Sequence, residues 1–294
     1  MKLREVGEDR LLAQLLPKLS HNSSVVLGAG DDCAVVRYPH QGNFQLLKTD
    51  CIVEGIHFSA TSRPEFVGWK AMARPLSDFA AMSGVPRFAL VSLIIAAERE
   101  FDWTKKLYRG LEKAARAFRV VIVGGETSNI KGPTVISVSL TGFVERSRWV
   151  SRDGGKVQDE LLVTGRLGGS LQRRHLKFTP RIAEARWLTK HFSIHAMMDL
   201  SDGLGADLPR LARASKVGFE VDADVVPRHR GCSLRQALGD GEDYELLFAV
   251  SPTVSAELQK RWRKRWPLEL TRIGRLTKAR SSPKKWSPGY VHFK

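Results

Sequence analysis

The chain has 294 residues, 43% of them hydrophobic, with 47 Lys+Arg against 31 Asp+Glu, a net charge of +16. That length allows one large domain or two ordinary ones, and no apolar run reaches the roughly 18 residues of a membrane helix. The charge favours anionic partners without choosing among nucleotide, nucleic acid and membrane surface.

The start, Met1-Lys2-Leu3-Arg4-Glu5, is charged and lacks an apolar signal region, so a cytoplasmic protein is expected. Leucines at 11, 12, 15, 16 and 19 predict a helix over 8–19. Strands follow over 25–27 and 33–38, around Gly28-Ala29-Gly30-Asp31-Asp32. The next strand, 44–49, runs through Thr49 and Asp50 to a glycine turn and His57-Phe58. Residues 64–82 read as a helix that Pro75 breaks or kinks just before Leu76-Ser77-Asp78. A strand over 87–96, an amphipathic helix over 102–118 and a strand over 120–123 come next, the last ending in Gly124-Gly125-Glu126-Thr127. A long strand over 134–144 closes the first half.

The polar, Gly-rich stretch 146–159 marks a boundary, giving domains 1–147 and 148–294. Beyond it, strands over 161–164, 195–198, 217–221, 244–250 and 268–274 are interspersed with helices over 180–191, 204–215 and 252–265. Both halves mix strands and helices, so the class is α/β, with α+β character. The run Gln259-Lys260-Arg261-Trp262-Arg263-Lys264-Arg265-Trp266 interleaves bases and aromatics. It is read as a solvated helix face with its tryptophans inward, because no nucleic-acid module accompanies it. Cys33, Cys51 and Cys232 lack metal-ligand spacing and are read as small, buried, reduced residues.

Asp31, Asp32, Asp50, Asp78, Glu126, Asp199 and Asp202 all fall at expected strand-to-loop junctions, beside small or hydroxylated residues. Clustered carboxylates repel one another unless protons or cations intervene. Magnesium takes oxygen ligands and binds through few carboxylates plus substrate phosphates. Any one aspartate is explained by a turn or a helix cap; the set together points to a magnesium site for phosphate transfer. No Gly-x-x-x-x-Gly-Lys-Ser/Thr is present, which excludes a P-loop enzyme. His57 is open between ligand, base and substrate contact.

These stretches carry a resemblance. Gly30-Asp31-Asp32, Thr49-Asp50 with Gly55-Ile56-His57-Phe58, Leu76-Ser77-Asp78-Phe79-Ala80-Ala81-Met82 and Gly124-Gly125-Glu126-Thr127 come in order. Arg152-Asp153-Gly154-Gly155-Lys156, Asp199-Leu200-Ser201-Asp202-Gly203 and Gly241-Glu242-Asp243-Tyr244-Glu245-Leu246 follow. The set, over nearly the whole chain, resembles the thiamine-monophosphate kinase family, relatives of aminoimidazole ribonucleotide synthetase and selenophosphate synthetase. The resemblance implies a two-domain fold whose N-terminal half closes a β-barrel across a homodimer. It implies ATP-dependent phosphorylation of thiamine monophosphate by direct in-line transfer, with several Mg2+ ions and no covalent nucleophile. Metal ligation carries over to Asp32, Thr49, Asp50, Asp78, Glu126, Asp199 and Asp202. ATP contacts carry over to Gly125, Glu126, Arg152 and Ser201. Substrate contacts carry over to His57, Glu242 and Tyr290. No membrane and no nucleic-acid partner are implied.

The chain departs from the family pattern at several positions. Lys48 stands where a Ser or Thr precedes Thr-Asp. Glu126 replaces Asp, which shifts the oxygen by about 1.5 Å. Arg74-Pro75 replaces a small residue and Asn, Gly169 replaces Asp, and Gly239-Asp240 replaces Ser-Gly. The connection from 169 to 180 is short. Two other readings stay open: the same ATP–magnesium platform acting on another phosphorylated or carboxylated acceptor, and a protein that binds thiamine phosphates or nucleic acid without turnover.

Overall fold

The computed structural model describes residues 2–37 and 42–279. Two sheets organise it. The first has six strands in the order β1-β2-β3-β6-β4-β5. These are β1 Val25–Leu27, β2 Ala34–Arg37, β3 Asn43–Val53, β4 Val85–Ile95, β5 Val121–Asn129 and β6 Val135–Glu145. The second is antiparallel, in the order β8-β10-β7-β11-β9. Its strands are β7 Glu160–Thr164, β8 Ile194–Asp199, β9 Gly218–Val221, β10 Leu246–Val250 and β11 Leu270–Thr277.

The helices are α1 Leu3–Val6, α2 Glu8–Leu15, α3 Pro64–Ala81, α4 Phe101–Ala117, α5 Ser170–Arg173, α6 Ile182–His191, α7 Leu204–Ala214, α8 Leu234–Gly239 and α9 Pro252–Arg265. None among the described residues is long and apolar enough to cross a membrane. The central element is α3, which packs on β3, β4 and β6 and also on β8 and α6. Pro75 sits inside it, yet the helix is continuous across 18 residues. Burial from Val67 to Ala81 on both sides outweighs the lost backbone hydrogen bond.

The two sheets differ in how they are covered. The second carries Leu204, Leu208 and Leu211 of α7 on one face and Leu188 of α6 with Leu258 and Trp262 of α9 on the other. The first buries Ala89, Val91 and Leu93 of β4 with Ile136, Val138 and Leu140 of β6 against α3 and α4. Its other face is open: Phe88, Leu90, Val121 and Val123 are about half exposed. Strands β2, β3, β4 and β6 are interior, and the edges are β1 and β5.

The basic run lies on α9 as expected. Trp262 is buried and its indole N–H donates to Leu268 O at 2.7 Å, while Arg263, Lys264 and Arg265 are exposed. Among the cysteines, Cys33 is buried as read from sequence, whereas Cys51 is exposed and Cys232 half-buried; all three are free thiols.

Candidate active site

Lys70, Arg74, Ser77 and Asp78 on α3 are spaced by four, three and one residues, so they share one face of the helix. That face meets β3, where Lys48 and Asp50 lie two apart and point to the same side. It also meets the end of β8: Ser77 Oγ donates to Asp199 Oδ2 at 2.5 Å. Asp32 comes from the turn between β1 and β2. Carboxylate oxygens of Asp32, Asp78 and Asp199 lie within 4.8 Å of one another, and all three residues are buried.

Burial drives the electrostatics here. It pushes the Asp78 carboxyl well above its ordinary value, against the opposing charge of Lys48. Burial first and Asp32 second push Asp199 up to about 7. The same two causes raise Asp31 to about 6. Carboxylates packed this way are stabilised only by a proton or a cation. The trio is an all-oxygen set, and magnesium suits it.

Three basic side chains reach into the group. Lys48 Nζ lies 2.7 Å from Asp78 Oδ1. Arg74 Nε lies 3.2 Å from Asp50 Oδ2, and its Nη1 donates to Cys51 O at 2.9 Å. Arg152 holds both oxygens of Asp32, through Nη2 and through Nε at 3.2 Å, and its backbone N–H donates to Asp31 Oδ2 at 3.0 Å.

Beside this group a cleft is lined by Ile56, His57, Arg74, Leu171, Ser201, Asp202, Asp240, Gly241, Glu242 and Tyr244. His57 Nδ1 accepts the Val53 N–H at 3.0 Å, which leaves Nε2 to carry the ring proton. Burial, then Arg74 and Lys70, pull the imidazole down to about 4, so it is neutral at neutral pH. The fully buried Lys70 donates to His57 O and to both Glu242 oxygens at 2.7 Å and lies 2.9 Å from His175 Nδ1. Burial pulls Lys70 down to about 8, with Glu242 resisting. For Glu242 burial works upward, but the His175 hydrogen bond and the Lys70 charge outweigh it and hold the carboxyl at about 2.

Glu242 and Tyr244 are both left-handed, at φ 54° and 52°. Each such residue costs on the order of 1–3 kcal/mol. The strain is held by the Glu242 N–H donating to Ser201 O at 2.7 Å and the Tyr244 N–H donating to Leu200 O at 2.8 Å. The Tyr244 ring also stacks on Phe178, with centroids 3.8 Å apart. These bonds tie segment 240–245 to the loop after β8 and place Ser201, Asp202 and Glu242 in one wall. Asp202 is held by Arg210 Nη1 at 2.5 Å and its backbone N–H donates to Asp207 Oδ2 at 3.0 Å. It faces the cleft and is not one of the buried trio.

Several residues read from the sequence as junction groups are not at junctions. Asp50 and Glu126 lie inside β3 and β5, and Asp78 lies inside α3. Alternation along β3 then sends Thr49 to the face opposite Asp50. Its hydroxyl accepts from Ser139 Oγ at 3.1 Å on the open side. The register Asp50–Val138–Val91–Gly125 puts Gly125 level with Asp50 but three strands away, about 14 Å along the sheet. Glu126 follows it and accepts from Ser128 Oγ at 3.2 Å. Within one chain, Thr49, Gly125 and Glu126 are therefore not brought to the trio. A Cβ on Gly125 would meet Val91 O at 1.7 Å, so glycine is required there by the approach of β4. Tyr290, read as a substrate contact, lies outside the described residues.

Sequence reasoning missed Lys70 and His175. Lys70 carries a faint signal, since it stands eight residues before Asp78 on the same helical face. One lysine in so basic a chain does not stand out. His175 lies in an irregular segment with no periodicity to place it.

The chain matches the family models for AIR synthase related protein, the N-terminal domain over residues 30–144 and the C-terminal domain over residues 147–284. It is 35% identical to thiamine-monophosphate kinase of Rhodopirellula baltica, over 92% of this chain and 89% of that one. It is 34% identical to thiamine-monophosphate kinase of Aquifex aeolicus, over the full length of both. Among solved structures, AaThiL complexed with AMPPCP and TMP superimposes with a TM-score of 0.84 at 32% identity, covering 99% of each chain.

Proposed function

The chain belongs to the thiamine-monophosphate kinase family, and from that membership we propose that it transfers the γ-phosphoryl group of ATP to thiamine monophosphate, releasing ADP and thiamine diphosphate. The observation that carries this reading is the buried Asp32, Asp78 and Asp199 trio beside the cleft of His57, Ser201 and Glu242. Donor and acceptor are both anionic, so their charge must be screened before they approach.

In this proposal Asp32, Asp50, Asp78, Asp199 and Asp202 serve magnesium, which when bound would neutralise the phosphates and hold them in line. Arg152 and Ser201 contact the nucleotide. Arg152 is fixed by Asp31 and Asp32, so it offers its charge without searching for it. His57, neutral and bearing its proton on Nε2, and Glu242, ionised by its Lys70 and His175 partners, orient the acceptor. Glu242 also suits the fixed positive charge of a thiazolium ring. No nucleophilic side chain is needed, because transfer is direct.

Thr49 and Glu126 are proposed as further metal ligands and Gly125 and Glu126 as nucleotide contacts, away from the trio of their own chain. We assign residues 1–147 to nucleotide binding and dimerisation. The apolar open face and the unpaired edge of β5 support a second copy closing a barrel there.

The test is incubation with ATP, magnesium and a panel of phosphorylated and carboxylated acceptors, scored by product mass. Thiamine diphosphate is the expected product. A different phosphorylated product would move the chain to another acceptor. Binding of both substrates with no ATP consumed would remove it from the kinases.

A further inference from the structure

Asp78 on α3 and Asp50 on β3 each have a tethered cation against them. Lys48 Nζ is 2.7 Å from Asp78 Oδ1, and Arg74 Nε is 3.2 Å from Asp50 Oδ2. Both pairs are largely shielded: the side chains of Lys48 and Asp78 are 23% and 11% exposed, those of Arg74 and Asp50 15% and 20%. Asp50 and Asp78 come from neighbouring elements that share the same interior, so Lys48 and Arg74 put two positive charges into one small volume. Two positive charges are what one magnesium ion supplies.

Geometry sets these pairs apart from surface salt bridges. Lys48 reaches Asp78 from the adjacent β3, and Arg74 is anchored by a second bond to Cys51 O at 2.9 Å, so neither head is free to leave into solvent. The Arg74 Nε is buried and makes no hydrogen bond with acceptable geometry, although it lies beside Asp50. Its guanidinium is therefore placed for charge rather than for an optimal bond.

We propose that Lys48 and Arg74 together take the place of one divalent cation between Asp50 and Asp78. The proposal rests on the kinase reading and narrows its metal set: Asp50 and Asp78 are compensated by Arg74 and Lys48, and magnesium is left to Asp32, Asp199 and Asp202. An ammonium or guanidinium on a side chain does not exchange, and its desolvation is met once, on folding, rather than at each binding event. The chain then binds fewer ions per nucleotide than its carboxylates would allow. The same two charges hold the site together without metal.

The experiment counts manganese, read by the electron-paramagnetic-resonance signal of the free ion, on wild type and on Lys48→Ser/Arg74→Ala, with AMPPCP present. One more bound ion per chain is expected in the double variant. Its melting temperature without metal should fall and should be restored by manganese, whereas wild type should respond less. Equal, non-zero counts with equal metal response overturn this proposal and leave the kinase reading standing. No manganese on either protein overturns the magnesium reading and this proposal with it. If the double variant does not fold, Lys48→Met serves, since it removes the charge and adds no oxygen. Its manganese affinity should rise about tenfold or more, because Asp78 loses a competing cation; unchanged affinity overturns the proposal.

Discussion

Lys70 Nζ donates to both carboxylate oxygens of Glu242 at 2.7 Å, across a sequence separation of 172 residues. The bond joins α3 to the strained segment after α8 and so connects the two halves of the chain at the cleft wall. Removing one partner of a buried pair leaves the other uncompensated and costs about 3–5 kcal/mol. Lys70→Met should therefore lower unfolding free energy by that order in urea titration. It should also raise KM for thiamine monophosphate while leaving KM for ATP near its starting value. If both KM values rise equally, Lys70 supports the whole site rather than the acceptor side.

Glu242 also predicts an acid limb. Its folded value of about 2 lies below its ordinary 4.5, because the His175 hydrogen bond and Lys70 charge outweigh burial. A depressed carboxyl contributes stability that is fully present above pH 4.5 and is lost as the pH falls from 4.5 towards 2. The wild-type melting temperature should fall through that window, and Glu242→Gln should fall less steeply from a lower start. Parallel slopes for the two proteins would show that other carboxylates dominate acid unfolding.

Asp199→Asn should separate activity from stability. Asp199 is buried beside Asp32 and Asp78, and burial with Asp32 pushes it up to about 7. The amide removes a repelling charge with almost no change in volume. Melting temperature without metal should hold or rise, while kcat should fall by about 100-fold or more if Asp199 serves a magnesium ion. Near wild-type turnover in saturating magnesium would remove Asp199 from the metal set.

The open face of the first sheet predicts a dimer. Phe88, Leu90, Val121 and Val123 are about half exposed, and β5 is an unpaired edge. Light scattering at micromolar concentration should give twice the chain mass. Leu90→Lys/Val123→Lys should give a monomer that keeps its secondary structure by circular dichroism. A monomeric wild type would leave this face to another partner.

Much of the fold was legible in the chain. The period-two runs of β4 and β6 and the leucine spacing of α7 mark elements whose burial is local and repetitive, and the structure has them close to the expected bounds. Bounds failed where a polar motif continued a strand. Thr49-Asp50 and Gly124-Gly125-Glu126-Thr127 look like loop sequences, yet both are paired within the first sheet because neighbouring strands supply their hydrogen bonds. Pro75 failed as a breaker for a similar reason, since the packing around α3 outweighs one missing bond.

By itself the sequence determined which chemistry was present: a basic chain that nonetheless spaces aspartates along its length, with His57 and Glu242 in reach of family motifs. Tertiary structure alone decided which of those groups meet. Asp32, Asp78 and Asp199 converge because a turn, a helix face and a strand end share one interior. Thr49 diverges from its neighbour Asp50 because successive strand residues face opposite ways. Lys48, Arg74 and Lys70 enter the site because carboxylates on elements remote in sequence supply the opposite charge that compensates their burial. A sequence records residue types and order, whereas charge pairing depends on distances between elements that are remote along the chain.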